Sequence, residues 1–358
     1  MKFYKLRGYF LTEILKKRIK PETIQMPITG KCNSRCITCN IWKQHTRNDM
    51  DVSFLQNVVK DPYLSNVKNV GVNGGEPFLH KDFTEFISTI IKLPKLENIY
   101  LISNGLLTDR IISGLKSIRP ILKDRNVKLN LTISLDGIDG IYTEIRGIPN
   151  GFQKVKNTII SIKNEKDLCD TLTIGTTVSI NNVNYLTEIN CFAKSINVPI
   201  NFHIAVPNRR IYTNDDYERY SVLFDTKATL LATEFFFGLF KYSKSIKEKL
   251  LYYQNYYYLK NNGTKRISAC NYKRQDLTID ENFNLYLCAK ESNSIGNLKE
   301  DSIESILKKK QSKQELNRIM KTCDSCGHYI TVPSIKGVVY MIKDMIAPAI
   351  WIFYRITK

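Results

Sequence analysis

Residues 23–39, TIQMPITGKCNSRCITC, carry a β-branched apolar run straight into three cysteines, Cys32, Cys36 and Cys39. TIQMPIT (23–29) reads as a strand, and the CxxxCxxC that follows sits on the loop after it. Four thiolates would close a zinc or iron–sulfur site, whereas three leave one metal position without a protein ligand. Whether this unit of strand and chemistry-bearing loop recurs decides the fold.

It recurs. NVGVN (69–73), NIYLIS (98–103), KLNLTIS (128–134), LTIGTTVS (172–179) and INFHIAV (200–206) are further strand-like runs. Amphipathic segments such as DFTEFISTIIKL (82–93) and GFQKVKNTIISIK (151–163) separate them, which is the pattern of βαβ units and a parallel sheet. After the second strand comes GGEP (74–77), after the third NG (104–105), after the fourth LDG (135–137) and after the fifth INN (180–182). In (β/α) barrels the strand ends and the loops after them build the active site, so these motifs converge on one mouth. The expected fold is α/β: an open, partial (β/α)6 TIM-like barrel over 23–207 with a small C-terminal α+β cysteine-rich domain over 263–332. A basic segment (1–22), a helical aromatic-rich connector (208–262) containing LLYYQNYYYL, and an apolar amphipathic tail (333–358) complete the division. The aromatic tract is expected to be packing surface.

Hydrophobic residues make up 43% of the 358, which excludes a disordered chain and a membrane-embedded bundle. The N-terminal stretch lacks an apolar h-region and a small-residue cleavage site, so a secretory signal is not expected. Of nine cysteines, seven fall into two ligand-like groups, favouring metal binding over disulfides and a reducing cytoplasm. The formal charge of +19 points to an anionic partner or to a Lys- and Asn-rich background in equal measure. The last uninterrupted apolar run of the tail is too short for the roughly 20 residues that cross a bilayer. Docking on its own barrel is the first expectation for the tail, and peripheral contact with the inner face of a membrane through Trp351, Phe353 and Tyr354 is the second.

CxxxCxxC after the first strand, GGE after the second, SNG (103–105), SLDG (134–137) and IRG (145–147) occur in order, and this set resembles the radical S-adenosylmethionine (radical SAM) superfamily. The resemblance implies that Cys32, Cys36 and Cys39 hold three irons of a 4Fe–4S cluster, and that SAM completes the fourth through its amino and carboxylate groups. It further implies reductive cleavage of SAM to a 5′-deoxyadenosyl radical, hydrogen abstraction from a substrate, and a reduced flavodoxin- or ferredoxin-type electron donor. By the same resemblance, Gly74, Gly75 and Glu76 receive the SAM ammonium. Ser134, Asp136 and Asn104 lie by the ribose or substrate, Arg146 pairs with the SAM carboxylate, and Ile204–Val206 lie near adenine. One departure stands out: the family's aromatic residue before the third cysteine is Thr38 here.

Cys270, Cys288, Cys323 and Cys326 form a second set, two around an expected hairpin turning at Glu281–Asn282 and two in a CxxC. Zinc and 4Fe–4S both suit the spacing. Following a radical SAM core, the set resembles the SPASM/twitch extension, and its short form implies one auxiliary 4Fe–4S cluster. Phe283 replaces the glycine usual before the hairpin cysteine. Cys191 is expected in the core and Cys169 near the surface. Among His45, His80, His203 and His328, only His203 is expected to face the barrel interior.

The leading functional expectation is an enzyme oxidising or otherwise modifying a small molecule, such as a sugar or a phosphorylated or lipid-linked compound. A peptide-modifying maturase that cross-links or epimerises is the alternative. The short stretch before the first strand leaves no peptide-recognition domain there and tilts towards the small molecule. A zinc-bearing nucleic-acid-binding protein is the rival from another class. It would bind nucleic acid in a salt-sensitive way, and no nucleic-acid partner is expected.

Overall fold

The computed structural model describes residues 18–44, 48–211, 216–268, 270–328 and 337–344. Six strands run in chain order as one parallel sheet: β1 (Thr23–Pro27), β2 (Asn69–Asn73), β3 (Asn98–Ser103), β4 (Lys128–Ser134), β5 (Thr171–Val178) and β6 (Ile200–Ile204). Between them run helices α1 (Val52–Val58), α2 (Phe83–Ile90), α3 (Thr108–Asp124), α4 (Asp139–Arg146), α5 (Gly151–Asn164) and α6 (Leu186–Ser195). The sheet is open, and the α/β fold is that of a partial barrel.

Alternation along the strands sets the two faces. Ile24, Met26, Val70, Val72, Ile99, Leu101, Leu129, Leu131 and Ile133 are fully buried in one core cluster with the apolar stripes of the helices. The residues between them, mostly polar but with Tyr100 and Ile102 among them, form a face that the helices leave uncovered. Asn69 Nδ2 donates to Thr23 Oγ1 at 3.4 Å, Asn98 Nδ2 to Asn69 Oδ1 at 3.1 Å, and Thr171 Oγ1 to Asn130 Oδ1 at 2.9 Å. Burying a strand face of amides and hydroxyls against hydrocarbon would be costly, so this face lines a wet interior.

The cysteine-rich segment joins the same sheet. β7 (Leu277–Ile279) pairs parallel with β1, and β8 (Asn284–Tyr286) and β9 (Ser294–Asn297) follow antiparallel, giving the order β6-β5-β4-β3-β2-β1-β7-β8-β9. The buried Asp276 carboxylate pins the junction, accepting from Thr23 N at 3.1 Å. At the β7–β8 turn Phe283 takes φ +65°, the left-handed region that favours glycine, and its ring is fully buried edge-on to Phe54 at 4.7 Å. Strain of about 1–2 kcal/mol is thereby offset by apolar burial.

Helices α7 (Thr226–Tyr242) and α8 (Ile246–Lys260) pack over β5 and β6, where Val178, Phe202 and Ile204 meet Phe236, Phe240, Tyr252 and Tyr253. The aromatic tract is thus packing surface. Residues 337–344 form a helical stretch against α8, with Tyr340 stacked on Tyr257 at 5.6 Å and Tyr253 OH donating to Asp344 at 3.0 Å. Trp351, Phe353 and Tyr354 of the tail, and His45, lie outside the described residues. Among those described, no helix is long and apolar enough to cross a membrane. Helices α9 (Ile303–Lys308) and α10 (Lys310–Thr322) close the C-terminal region.

One expectation is corrected here. Cys191 is exposed, because the buried positions of α6 are Leu186, Ile189 and Ala193, and Cys191 falls on the other side of the helix. Cys169 is half-buried.

Candidate active site

The three-cysteine loop leaves β1 at Ile28 and returns at Met50, whose N–H donates to Ile28 O at 2.8 Å. Its start is fixed by Thr29, fully buried, whose Oγ1 donates to Asp49 at 2.7 Å and accepts from Lys31 N at 3.0 Å. The far side is fixed to the end of α4: Arg35 N donates to Arg146 O at 2.9 Å and Ile37 N to Ile145 O at 3.0 Å. Gly147 makes that approach available, ending α4 with φ +65° where a Cβ would stand 2.9 Å from Arg35 Cβ.

The sulfurs receive donors. Cys32 Sγ accepts from Ser34 N at 3.5 Å and faces Asn104 Nδ2 at 3.9 Å. Cys36 Sγ lies 3.1 Å from Ser34 Oγ and 3.5 Å from Arg146 Nη1. Burial pushes the Cys32 thiol up to about 12, helped by Cys36, Glu76 and Cys39 nearby and opposed by the Ser34 amide. Burial likewise raises Cys39. Cys32 and Cys39 thus resist ionisation until positive charge joins them, and metal binding supplies that charge.

The GGEP turn is laid directly under this loop. Gly75 N donates to Thr29 O and Glu76 N to Lys31 O, both at 2.7 Å. A Cβ on Gly75 would meet Lys31 O at 1.9 Å, and Gly74, at φ +137°, would meet Thr29 O at 2.5 Å. Glu76 itself is turned inward and fully buried. Its carboxylate accepts from Ser103 Oγ at 2.8 Å, Asn104 N at 2.7 Å and Phe78 N at 3.3 Å. Burial pushes it up to about 7 against those donors. Its visible work is to tie the end of β2 to the SNG turn after β3, leaving the main chain of Gly74 and Gly75 closer to the cysteines.

Asp136 and Arg146 are likewise engaged with each other. Arg146 Nη2 stands 2.7 Å from Asp136 Oδ2, with side chains 10% and 2% exposed. Asp136 Oδ1 accepts from Thr177 N at 2.7 Å, and Asn182 Nδ2 donates to Asp136 O at 2.8 Å. Burial lowers the Arg146 guanidinium, but Asp136 and Cys36 outweigh it and hold the charge firmly. Arg146 Nε is buried without a hydrogen-bond partner among the described residues. Ser134 ends β4, half-buried and level with Gly175. Asn104 turns its Nδ2 to Asn33 Oδ1 at 2.7 Å. His203 lies on the uncovered face, 3.0 Å from Thr177 Oγ1, where desolvation lowers its imidazole to about 4 despite Asp136. Ile204 instead is buried in the outer cluster.

The second cysteine set forms around the β7–β8 hairpin and the end of α10. Cys270, Cys288 and Cys323 are buried and Cys326 half-buried. Cys323 and Cys326 each feel Cys270 and Cys288, and burial raises them to about 12 and about 11. Here too amides two residues on point at sulfur: Lys290 N at Cys288 Sγ and His328 N at Cys326 Sγ, both 3.4 Å. With Ser34 N on Cys32, the same device recurs in both sets. Amide donors aimed at sulfur stabilise thiolates, so the donor chemistry fits metal-bound cysteines. Among the described residues no three His, Cys, Asp or Glu side chains converge on one ion. A cubane asks for less convergence, since each thiolate binds its own iron.

Sequence reasoning passed over Ser34, Asn33, Thr177 and Asn182, which hold the site in place. Ser34 had a signal, being a small polar residue inside the cysteine loop. The others depend on contacts across the fold.

Residues 26–187, which include the three cysteines and every strand-end motif, match the radical SAM superfamily. That match spans a little under half of the chain and identifies this segment as a radical SAM domain. The match implies a 4Fe–4S cluster, SAM and an enzymatic activity. A GTP 3′,8-cyclase of Clostridium perfringens (strain SM101) is 30% identical over 158 residues, 40% of this chain and 48% of the relative. The chain thus spans about half the length of the curated relatives it matches. Among solved structures, anSMEcpe with bound AdoMet superposes with TM-score 0.60 at 16% identity, covering 91% of this chain and 96% of that one. SuiB of Streptococcus suis bound to its precursor peptide SuiA gives 0.55 at 14%, covering 86% and 69%. At those identities the likeness is one of fold.

Proposed function

We propose that this radical SAM enzyme modifies a small anionic molecule by hydrogen-atom abstraction, with a second 4Fe–4S cluster on Cys270, Cys288, Cys323 and Cys326. The observation that carries the reading is the three-thiol loop at the end of β1, pinned between the GGEP turn and Arg146. When bound, the cluster on Cys32, Cys36 and Cys39 supplies reductive cleavage of SAM to a 5′-deoxyadenosyl radical. The chain's own residues have narrower tasks. The carbonyls around Gly74 and Gly75 receive the ammonium of SAM, where the absence of Cβ permits close approach. Arg146 holds a positive charge beside Cys36 and offers Nε to the carboxylate. Asn104, Ser134, Thr177 and His203 line the path from the strand ends to the polar face, where a substrate with hydroxyl or amide groups finds partners.

Three buried thiols and a half-buried fourth, two of the four with amide donors, support a second cluster, which would accept an electron from a substrate radical and make the net reaction an oxidation. The reducing equivalents for SAM cleavage would come from a flavodoxin- or ferredoxin-type donor. A small phosphorylated substrate agrees with the chemistry named for the cyclase relatives.

Anaerobic reconstitution with iron and sulfide counting tests the proposal. About eight irons and eight sulfides per chain are expected for two cubanes. Zinc retained in place of iron after reconstitution would overturn it.

A further inference from the structure

The uncovered face of the sheet is ordered into rows by strand register. One row crosses six adjacent strands: Thr278 on β7, Gln25 on β1, Gly71 on β2, Tyr100 on β3, Asn130 on β4 and Thr171 on β5. Neighbours in such a row point to the same side and stand about 4.8 Å apart. Tyr100, near its middle, is 46% exposed, and Ile102, the next residue of β3 on this face, is 42% exposed. Ile102 is level with Thr132 and one residue short of Ser103, whose hydroxyl donates to Glu76. The two side chains therefore begin at the strand end of the candidate active site and reach about 10 Å below it.

The alternate residues Ile99 and Leu101 of the same strand are fully buried, so Tyr100 and Ile102 are the apolar groups that β3 leaves in water. Their polar neighbours are engaged as acceptors and open as donors. Gly71 has no side chain, and the Gln25 carboxamide lies across it: a Cβ there would stand 2.1 Å from Gln25 Oε1. Asn73 Nδ2 donates to Gln25 Oε1 at 3.4 Å, whereas Gln25 Nε2 donates to no group among the described residues. On the other side of Tyr100, Asn130 Oδ1 accepts from Thr171 Oγ1 at 2.9 Å. Asn130 Nδ2 reaches Ile99 O only at 3.5 Å, where a hydrogen bond is weak. Thr278, 2% exposed at the end of the row, has a hydroxyl without a hydrogen-bond partner. The row thus sets an accessible ring between two amide donors.

We propose that Tyr100 and Ile102, with Gln25 and Asn130 on either side, form the subsite that takes a flat, carbonyl-bearing ring of the substrate. The inference rests on the radical SAM reading above and adds a ring to its small anionic substrate. A planar ring gains a stacking contact on Tyr100 that a saturated sugar does not, and carbonyl oxygens at its edge accept from the amide nitrogens. The same face carries Thr177 and His203 at the strand ends, so a ring held at Tyr100 directs the rest of the substrate towards the cysteine loop. The adenine of SAM is a second source of a flat ring, and the test separates the two.

That test is anaerobic equilibrium dialysis of the reconstituted full-length enzyme at saturating SAM, with uridine 5′-monophosphate and ribose 5-phosphate as probes. Both carry a phosphate on ribose, and only the nucleotide carries the ring. Wild type is expected to bind the nucleotide at least about tenfold more tightly than the sugar phosphate. Tyr100→Ala is expected to abolish that preference and Tyr100→Phe to keep it, because the ring and not the hydroxyl carries it. Gln25→Met keeps the side-chain length and removes the donor. It is expected to weaken nucleotide binding about two- to tenfold and leave ribose 5-phosphate unchanged, which keeps the proposal testable should Tyr100→Ala fold poorly. Equal binding of the two probes by wild type, binding of neither, or a preference that survives Tyr100→Ala would overturn the subsite. A fall in SAM affinity in Tyr100→Ala would overturn it too, assigning the ring to adenine. Wild type that forms 5′-deoxyadenosine but shows no preference sinks the subsite alone, whereas wild type that takes up no iron sinks the radical reading beneath it.

Discussion

Arg146 joins Asp136 to the cysteine loop: one nitrogen of its guanidinium lies 2.7 Å from the Asp136 carboxylate and another 3.5 Å from Cys36 Sγ. The two side chains come from the end of α4 and the turn after β4, only ten residues apart, and both are almost fully buried. Arg146→Met leaves a buried carboxylate with no counter-charge, a loss of about 3–5 kcal/mol. Pairing it with Asp136→Asn should recover a large part, because the stranded charge is gone. Urea unfolding of the single and double variants measures both, and additive losses would show that the pair does not act as one.

Glu76 makes stability depend on pH. Its folded carboxyl is pushed by burial to about 7, above the ordinary 4.5, so the native state keeps a proton that the unfolded chain gives up. Its contribution is therefore greatest below about pH 4.5 and is lost as pH rises through about 7. Between pH 5 and 8 the iron-free wild type should lose up to about 3 kcal/mol relative to Glu76→Gln, which cannot titrate. Parallel pH profiles for the two would contradict the burial argument.

At Gly75 a methyl group has nowhere to go, with Lys31 O only 1.9 Å from the ideal Cβ. Gly75→Ala should push the GGEP turn off the cysteine loop and weaken SAM binding by about tenfold or more, about 1.4 kcal/mol. Equilibrium dialysis with labelled SAM checks this, and unchanged affinity would place SAM elsewhere.

Phe283 sets strain against burial. Phe283→Gly relieves a left-handed φ worth about 1–2 kcal/mol but forfeits a buried aromatic side chain worth about 3–5 kcal/mol. The variant should be less stable by about 2–3 kcal/mol in urea unfolding. A gain in stability would mean the ring contributes little against Phe54.

Much of this architecture was legible along the chain. β2, β3 and β4 coincide with NVGVN, NIYLIS and KLNLTIS, because alternation of apolar and polar residues is a local signal with a fixed period. β6 stops at Ile204 rather than Val206, and β1 stops at Pro27, where the chain turns into the cysteine loop. The cysteines and glycines of the site were legible for the same reason: their chemistry is carried by residue type and spacing. What could not be read were partnerships. Glu76 looks like a ligand-binding carboxylate in sequence, yet Ser103 and Asn104 claim it across the β2–β3 crossover. The parallel pairing of β1 with β7 joins residues about 250 positions apart, and nothing local announces it. Arg209 N meets Lys290 O only because the segment after β6 crosses to the hairpin. Cys191 was misplaced by treating a helix start as core without tracing its stripe.

The central claim is that Cys32, Cys36 and Cys39 hold a cluster one protein thiolate short. Anaerobic, dithionite-reduced enzyme incubated with SAM tests it most directly, with 5′-deoxyadenosine followed by chromatography. Wild type should form 5′-deoxyadenosine, and the variant with all three cysteines changed to alanine should form none while keeping the iron bound by the other four. Continued SAM cleavage by that variant would contradict the account.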